Sequence, residues 1–286
     1  MPRLADWFAL VRFTHTLFAL PFALIALLAA TGGRPSPRLL VLVVLCAVAA
    51  RTAAMAYNRY VDRRVDAANP RTAGREIPRG VISARQALLL AAGSGLAFLG
   101  CAWLLAPLCF WLGIPVLAVL LGYSHGKRFT ALVHAWLGLA LGLAPLAAHV
   151  AATGVLDRSL LAPGLLGAGV MAWVFGFDLL YACQDVDFDR AAGLHSLPAR
   201  LGVATALRLA AAAHVVAVPL FWSFGWLAGF SLAYDLGVGV TAVLLVKEHR
   251  LVRPHDLARV NTAFFQMNAL VSAVLLAATL LDLYLW

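Results

Sequence analysis

Nine stretches of mostly apolar residues divide this chain, each about 20 residues long and so able to span the ~30 Å hydrocarbon core of a bilayer. They run near 13–32, 38–60, 85–106, 108–123, 131–152, 161–183, 203–223, 226–246 and 260–284. Inside a bilayer the backbone finds no water to hydrogen-bond with, so such segments fold as helices. The expectation is an all-α membrane protein, a bundle of nine transmembrane helices forming a single domain over residues 1–286, with pseudo-repeat halves near 1–123 and 124–286. Pro107 separates the third segment from the fourth, and Phe224-Gly225 the seventh from the eighth. Only 12% of the residues are charged and 63% are hydrophobic. A soluble domain carries about twice that charged fraction. The first segment follows Arg3 and Arg12 and could imitate a secretory signal, but with so many spans behind it an uncleaved helix is expected.

The basic residues are distributed unevenly. Of the 22 Lys and Arg, all but Arg34, Arg38 and Arg158 fall at the N-terminus and in the connections near 61–84, 124–130, 184–202 and 247–259, helix ends included. By the positive-inside rule that face is cytoplasmic, in a bacterial-type inner membrane. The net charge of +9 then reflects a lipid bilayer partner and not a nucleic acid. No obligate protein partner is indicated. The four cysteines form no C-x-x-C pair and the eight histidines no H-x-x-x-H, so neither a disulfide framework nor a zinc site is expected. Walker A, G-x-S-x-G and G-x-G-x-x-G runs are absent, which removes NTPase, hydrolase and dinucleotide readings.

Two acidic ladders stand out on the basic face. Asn58, Asp62 and Asp66 follow the second segment at intervals of four, and Asp185 and Asp189 follow the sixth. Residues four apart in a helix share a face. Two such ladders make an oxygen-rich cage suited to Mg²⁺, which binds through a few carboxylates plus substrate phosphates. A purely structural account would pair Asp62 with Arg59, Asp66 with Arg63 and Asp189 with Arg190, but it gives no reason for the spacing to recur on two helices. Arg71, Arg75, Lys127 and Arg128 supply the cations that a diphosphate needs. Asp178 lies seven residues before Asp185, about 10 Å deeper on the same face. An intramembrane carboxylate is a functional candidate by default. Asp235 falls mid-span in the eighth segment, where a hydrogen bond to a neighbouring helix is its expected role. Tyr57, Tyr123, Phe175, Phe177 and Tyr181 lie just below the polar face and could shield a carbocation. The loops at 71–80 and 195–202 share Pro, Arg and Gly punctuation, a weak internal repeat.

The run Asn58-Arg59-Tyr60-Val61-Asp62-Arg63-Arg64-Val65-Asp66 resembles the first aspartate motif of the UbiA superfamily of intramembrane aromatic prenyltransferases. Asp185-Val186-Asp187-Phe188-Asp189, preceded by Tyr181-Ala182-Cys183-Gln184, resembles the second. Arg71-Thr72, Arg75, Pro78 and Gly80 look like the loop after motif one, and Tyr123 with Lys127-Arg128-Phe129-Thr130 like the loop between the fourth and fifth helices. Arg12 matches a basic position there too. The resemblance implies nine membrane helices around a cytoplasm-facing central cavity. It also implies Mg²⁺-dependent transfer of a polyprenyl group from a polyprenyl diphosphate to a small aromatic acid. The similarity is greatest to 4-hydroxybenzoate polyprenyltransferase-like members of ubiquinone and menaquinone biosynthesis. An alternative acceptor is the 1,4-dihydroxy-6-naphthoate of the futalosine menaquinone route, since His195-Ser196 stands where many 4-hydroxybenzoate enzymes have Lys-Ser-Thr.

By this resemblance Asp62, Asp66, Asp185 and Asp189 hold the metal. Asn58, Arg71, Arg75 and Lys127 hold the diphosphate. Arg12, Arg128, Tyr123 and Tyr181 bind the acceptor. From its intramembrane position, Asp178 is expected to position the acceptor hydroxyl or take its proton. The non-enzyme alternative is a secondary transporter, whose sites lie near the bilayer midplane. Four key acids at the cytoplasmic end favour the enzyme.

Overall fold

The computed structural model describes residues 2–12 and 16–285. Residues 13–15, with which the first apolar segment was expected to begin and which include His15, lie outside that set. In chain order the helices are α1 (Leu4–Leu10), α2 (Thr16–Ala30), α3 (Pro37–Ala68), α4 (Ala84–Leu105), α5 (Pro107–Gly122), α6 (Val133–Thr153), α7 (Leu161–Ala182), α8 (Val186–Ala191), α9 (Leu197–Leu201), α10 (Val203–Ala228), α11 (Leu232–Leu251), α12 (Val260–Thr262) and α13 (Asn268–Leu285). Seven helical stretches are long and apolar enough to cross a membrane, and Phe18–Ala30 is a shorter apolar helix. The chain is a multi-pass membrane protein. α11, which contains Asp235, Lys247, Glu248 and Arg250, is not among the seven.

The chain divides into two compact units, Met1–Thr16 with Leu40–His125, and Leu17–Leu39 with Gly126–Trp286. In the first, Leu10 and Val11 pack with Ala56, Ile82, Ala87 and Ala91. Ser83 starts α4 with a reciprocal cap, its hydroxyl accepting from Gln86 N while Gln86 Oε1 accepts from Ser83 N. In the second unit α7 packs along both α6 and α10. Phe18 and Phe22 pack their rings against Trp173, Phe177, Phe221 and Phe264. The Tyr284 hydroxyl donates to the Gly33 carbonyl.

The boundary expected at Phe224-Gly225 lies elsewhere. α10 runs unbroken to Ala228 and ends at Gly229, whose φ of 76° is the left-handed conformation of a helix C-terminus. Gly225 serves packing: a Cβ there would stand 2.3 Å from the Tyr234 ring. α11 therefore starts at Leu232, and Asp235 is an exposed acid in its first turn, at the positive end of the helix dipole. The acid that reaches this helix start from another helix is Asp282 of α13, which accepts from Ser231 N, Ser231 Oγ and Tyr234 N.

A buried polar chain ties four helices of this unit together. Trp173 Nε1 donates to Asn268 Oδ1 at 2.6 Å, and Asn268 Nδ2 donates to Glu248 Oε1 at 2.8 Å and to Phe264 O at 3.0 Å. His214 Nε2 donates to Trp173 O, which leaves its Nδ1 to accept from His249 Nε2. Asn268 follows the π-helical turn Ala263–Met267. Its bond to Phe264 O supplies a donor to a turn whose i→i+5 spacing departs from the α pattern. Asn268→Ala strands the Trp173 donor and a Glu248 oxygen in the interior, so it should cost about 3 kcal/mol. Thermal unfolding in detergent measures this, and an unchanged transition would refute the clamp.

Candidate active site

α3 carries the first ladder on its last turns, and the following loop folds back onto it. Asn58 Nδ2 donates to Asp62 Oδ2 at 2.9 Å. Arg75 Nη1 donates to Asp66 Oδ1 at 2.6 Å, both side chains being largely buried. The loop reaches that position through turns. Asn69 Oδ1 accepts from Arg71 N, Thr72 Oγ1 donates to Asp66 O, and Arg75 N donates to Thr72 O. Asp66 Oδ2 is buried without a hydrogen-bond partner.

In the second unit Lys127 Nζ lies 3.2 Å from Asp189 Oδ2, and the Lys127 carbonyl accepts from His195 N at 2.7 Å. Asp185 and Asp189 are buried while Asp187 between them is exposed. The second ladder departs from an unbroken helix. α7 ends at Ala182, a 3-10 turn covers Cys183–Asp185, and α8 carries Asp189. The tighter turn has three residues per turn in place of 3.6. It changes the side-chain register just where the apolar segment gives way to the acids. Tyr181 packs against Phe264 with ring centres 4.4 Å apart and planes tilted by 39°. Deeper in α7, Asp178 Oδ2 lies 2.6 Å from His134 Nδ1.

The arginines of the structural account are engaged elsewhere. Arg59 Nε donates to Leu10 O, Arg63 Nη1 to Tyr60 O, and Arg190 Nε to Ala199 O. The acids Asp66 and Asp189 instead meet Arg75 and Lys127, two of the residues nominated for the diphosphate. Tyr123 and Arg128 bound the 3-10 turn Tyr123–Arg128, with Arg128 exposed. Arg71 is exposed on the loop after motif one. Arg12 is exposed at the end of α1 with φ 48°, a conformation costly for a residue with a Cβ.

Two polar residues escaped the sequence reading. Arg51, assigned there to the cytoplasmic face, lies inside α3, seven residues before Asn58, and its Nε is buried without a hydrogen-bond partner. A lone charge within an apolar stretch was the available signal. His134 had no such signal, because its partner is 44 residues away.

Among the described residues no three His, Cys, Asp or Glu side chains gather into a ready-made metal cage. The donors present are nonetheless hard oxygens, and the unpartnered Asp66 Oδ2 is one of them. Such a set fits Mg²⁺, which takes one or two carboxylates and completes its shell with phosphate and water.

A model of the UbiA prenyltransferase family matches residues 19–270. The chain is 32% identical over 260 residues to a 4-hydroxybenzoate octaprenyltransferase of Nitrosomonas eutropha, covering 88% of this chain and 87% of the relative. It is likewise 32% identical to the enzyme of that name from Aromatoleum aromaticum, over 90% of this chain and 86% of the relative. Among solved structures, a UbiA homologue from Aeropyrum pernix K1 aligns with a TM-score of 0.85 and 34% identity, over 94% of this chain and 98% of that one. A homologue from Archaeoglobus fulgidus, solved with GPP and Mg²⁺, shares the fold at a TM-score of 0.68 and 20% identity, over 96% and 99% of the two chains. With the family match covering most of its length and curated relatives above 30% identity, this chain belongs to the UbiA prenyltransferase family and is a polyprenyltransferase similar to the 4-hydroxybenzoate enzymes.

Proposed function

We propose that the enzyme transfers a polyprenyl group from its diphosphate to the ring of 4-hydroxybenzoate or a close aromatic acid, with Mg²⁺, in quinone biosynthesis. Its site opens to the cytoplasm from a single nine-crossing domain in the inner membrane, α2 and α11 completing the seven long apolar stretches. The observation that carries this reading is the pairing of buried acids with the loop cations: Asp66 with Arg75, its Oδ2 left over, and Asp189 with Lys127.

Asp62, Asp66, Asp185 and Asp189 would hold the metal, which supplies Lewis-acid neutralisation of charge on the leaving diphosphate. Arg75 and Lys127 are poised to exchange an acid partner for a phosphate oxygen, and Arg71 adds a third cation. Asn58 fixes the orientation of Asp62 through their hydrogen bond. In many enzymes preorganised charge of this kind lowers the barrier more than any other single effect. Tyr123 and Tyr181 present aromatic faces to the allylic cation and exclude water from it. Arg12 and Arg128 hold the acceptor carboxylate, with the buried, unpartnered Nε of Arg51 a further candidate. Asp178 takes the hydrogen bond of the acceptor hydroxyl.

The test incubates the purified protein with Mg²⁺, a polyprenyl diphosphate, and either 4-hydroxybenzoate or 1,4-dihydroxy-6-naphthoate, and reads the lipid extract by mass spectrometry. Prenylated 4-hydroxybenzoate is expected. Product from the naphthoate alone would move the assignment to that acceptor, and no product from either would overturn it.

A further inference from the structure

α6 and α7 meet main chain against main chain. A Cβ on Gly138 would stand 2.5 Å from Met171 O, and one on Gly142 2.5 Å from Gly167 O. Neither position can carry a side chain without separating the helices. His134 continues the Gly142–Gly138 row by one more turn of α6, and Asp178 lies two turns beyond Met171 along α7. The glycine seam thus leads directly to the His134–Asp178 hydrogen bond of 2.6 Å. The two partners are unequally placed. The Asp178 side chain is 15% exposed and that of His134 only 1%. Asp178 is therefore the member with open surface, and His134 stands behind it. His134 Nε2 is buried and has no hydrogen-bond partner.

We propose that His134 is a positioning residue for the acceptor: its Nδ1–H holds Asp178 Oδ2 so that Oδ1 meets the ring hydroxyl. This rests on the role given above to Asp178 and deepens it, because it requires an acceptor with a free hydroxyl beside the carbon that is alkylated. With Nδ1 as the donor and the lone pair on Nε2, no N–H is stranded in the interior. The bond fixes one carboxylate oxygen, and the other oxygen stays available to a proton.

The step balances. The C1–O bond of the prenyl diphosphate breaks, its electron pair leaving with the diphosphate. The ring carbon ortho to the hydroxyl forms the new C–C bond as the hydroxyl proton passes to Asp178 Oδ1, giving a neutral dienone in place of a ring cation. The proton on that ring carbon is then lost to the released diphosphate. Asp178 returns its proton to the oxygen, and the ring is aromatic again. One proton is released in all, and Asp178 ends as it began.

Asparagine is the informative replacement, because its Nδ2 stands where the histidine Nδ1 does, whereas glutamine places its amide at the Nε2 position. Full-length wild type, His134→Asn, His134→Gln, His134→Leu and Asp178→Asn are assayed with 4-hydroxybenzoate and with its 4-methoxy counterpart. His134→Asn should retain activity within about tenfold. His134→Gln and His134→Leu should lose about 100-fold in kcat/KM for the hydroxy acid, with the KM for the prenyl diphosphate unchanged. Their preference for the hydroxy over the methoxy acid should fall to that of Asp178→Asn, and the His134→Leu/Asp178→Asn double variant should be no slower than Asp178→Asn alone. His134→Leu with wild-type rate and preference, beside an impaired Asp178→Asn, overturns the proposal. If His134→Leu does not fold, His134→Asn performing no better than His134→Gln overturns it. A fully active Asp178→Asn instead removes the role given to Asp178 itself.

Discussion

With Asp62 or Asp185 replaced by alanine, prenyl transfer should fall by about 10³-fold or more, the scale on which loss of preorganised charge stabilisation is felt. Breaking the allylic C–O bond leaves negative charge on a diphosphate, and the proposed site must receive it. Each substitution removes carboxylate oxygens from the acid-rich turn that its unit contributes in the proposed mechanism. Asp62 is already oriented by Asn58, and Asp185 is buried in the turn that joins α7 to α8. Asp187→Ala is the control, because that acid is exposed two residues away and should stay within about twofold, like other surface changes. Rates are compared at saturating prenyl diphosphate, with thermal unfolding in detergent to show that the bundle survives. Near-normal turnover by either alanine variant, or a loss in Asp187→Ala as deep as theirs, would sink the metal assignment.

Chelation should have an equally large effect on activity and little on folding. Excess EDTA is expected to bring product formation to background, and added Mg²⁺ to restore it. Without prenyl diphosphate the thermal transition should move little, since among the described residues no three His, Cys, Asp or Glu side chains are gathered to hold the ion before the diphosphate arrives. The pairing of the two readouts matters. A falling transition temperature would mean that metal holds the fold together, as it does in small metal-dependent domains. Activity that persists in the chelator would mean that Arg75 and Lys127 alone carry the charge of the leaving group.

Much of this was legible in the sequence because the relevant signals are local. Apolar length marks helices, and the four-residue repeat of Asn58, Asp62 and Asp66 is a property of one helix. The second ladder was legible as a set of residues but not as a shape, because nothing in Cys183-Gln184-Asp185 announces a 3-10 turn. The end of α10 was misplaced for a related reason. Gly225 and Gly229 look alike in sequence, yet one admits the Tyr234 ring and the other supplies a left-handed turn. Acids were the hardest to rank. Asp235 drew notice inside an apolar run and proves to be a helix-start residue, while Asp282, 51 positions from Ser231, holds that helix start in place. Bonds such as Trp173–Asn268 and His134–Asp178 join segments 95 and 44 residues apart, and only folding brings them together.

The glycine seam between α6 and α7 has a consequence for a protein embedded in lipid. Bilayers differ in thickness from one membrane and growth condition to another, and embedded helices answer by tilting or shifting. Side chains that meet across ordinary packing drift with such adjustments. Two helices in backbone contact at Gly138, Gly142 and Gly167 leave little slack between them, so the spacing of His134 and Asp178 is set like the jaws of a fixed gauge, indifferent to how the surrounding membrane swells or thins.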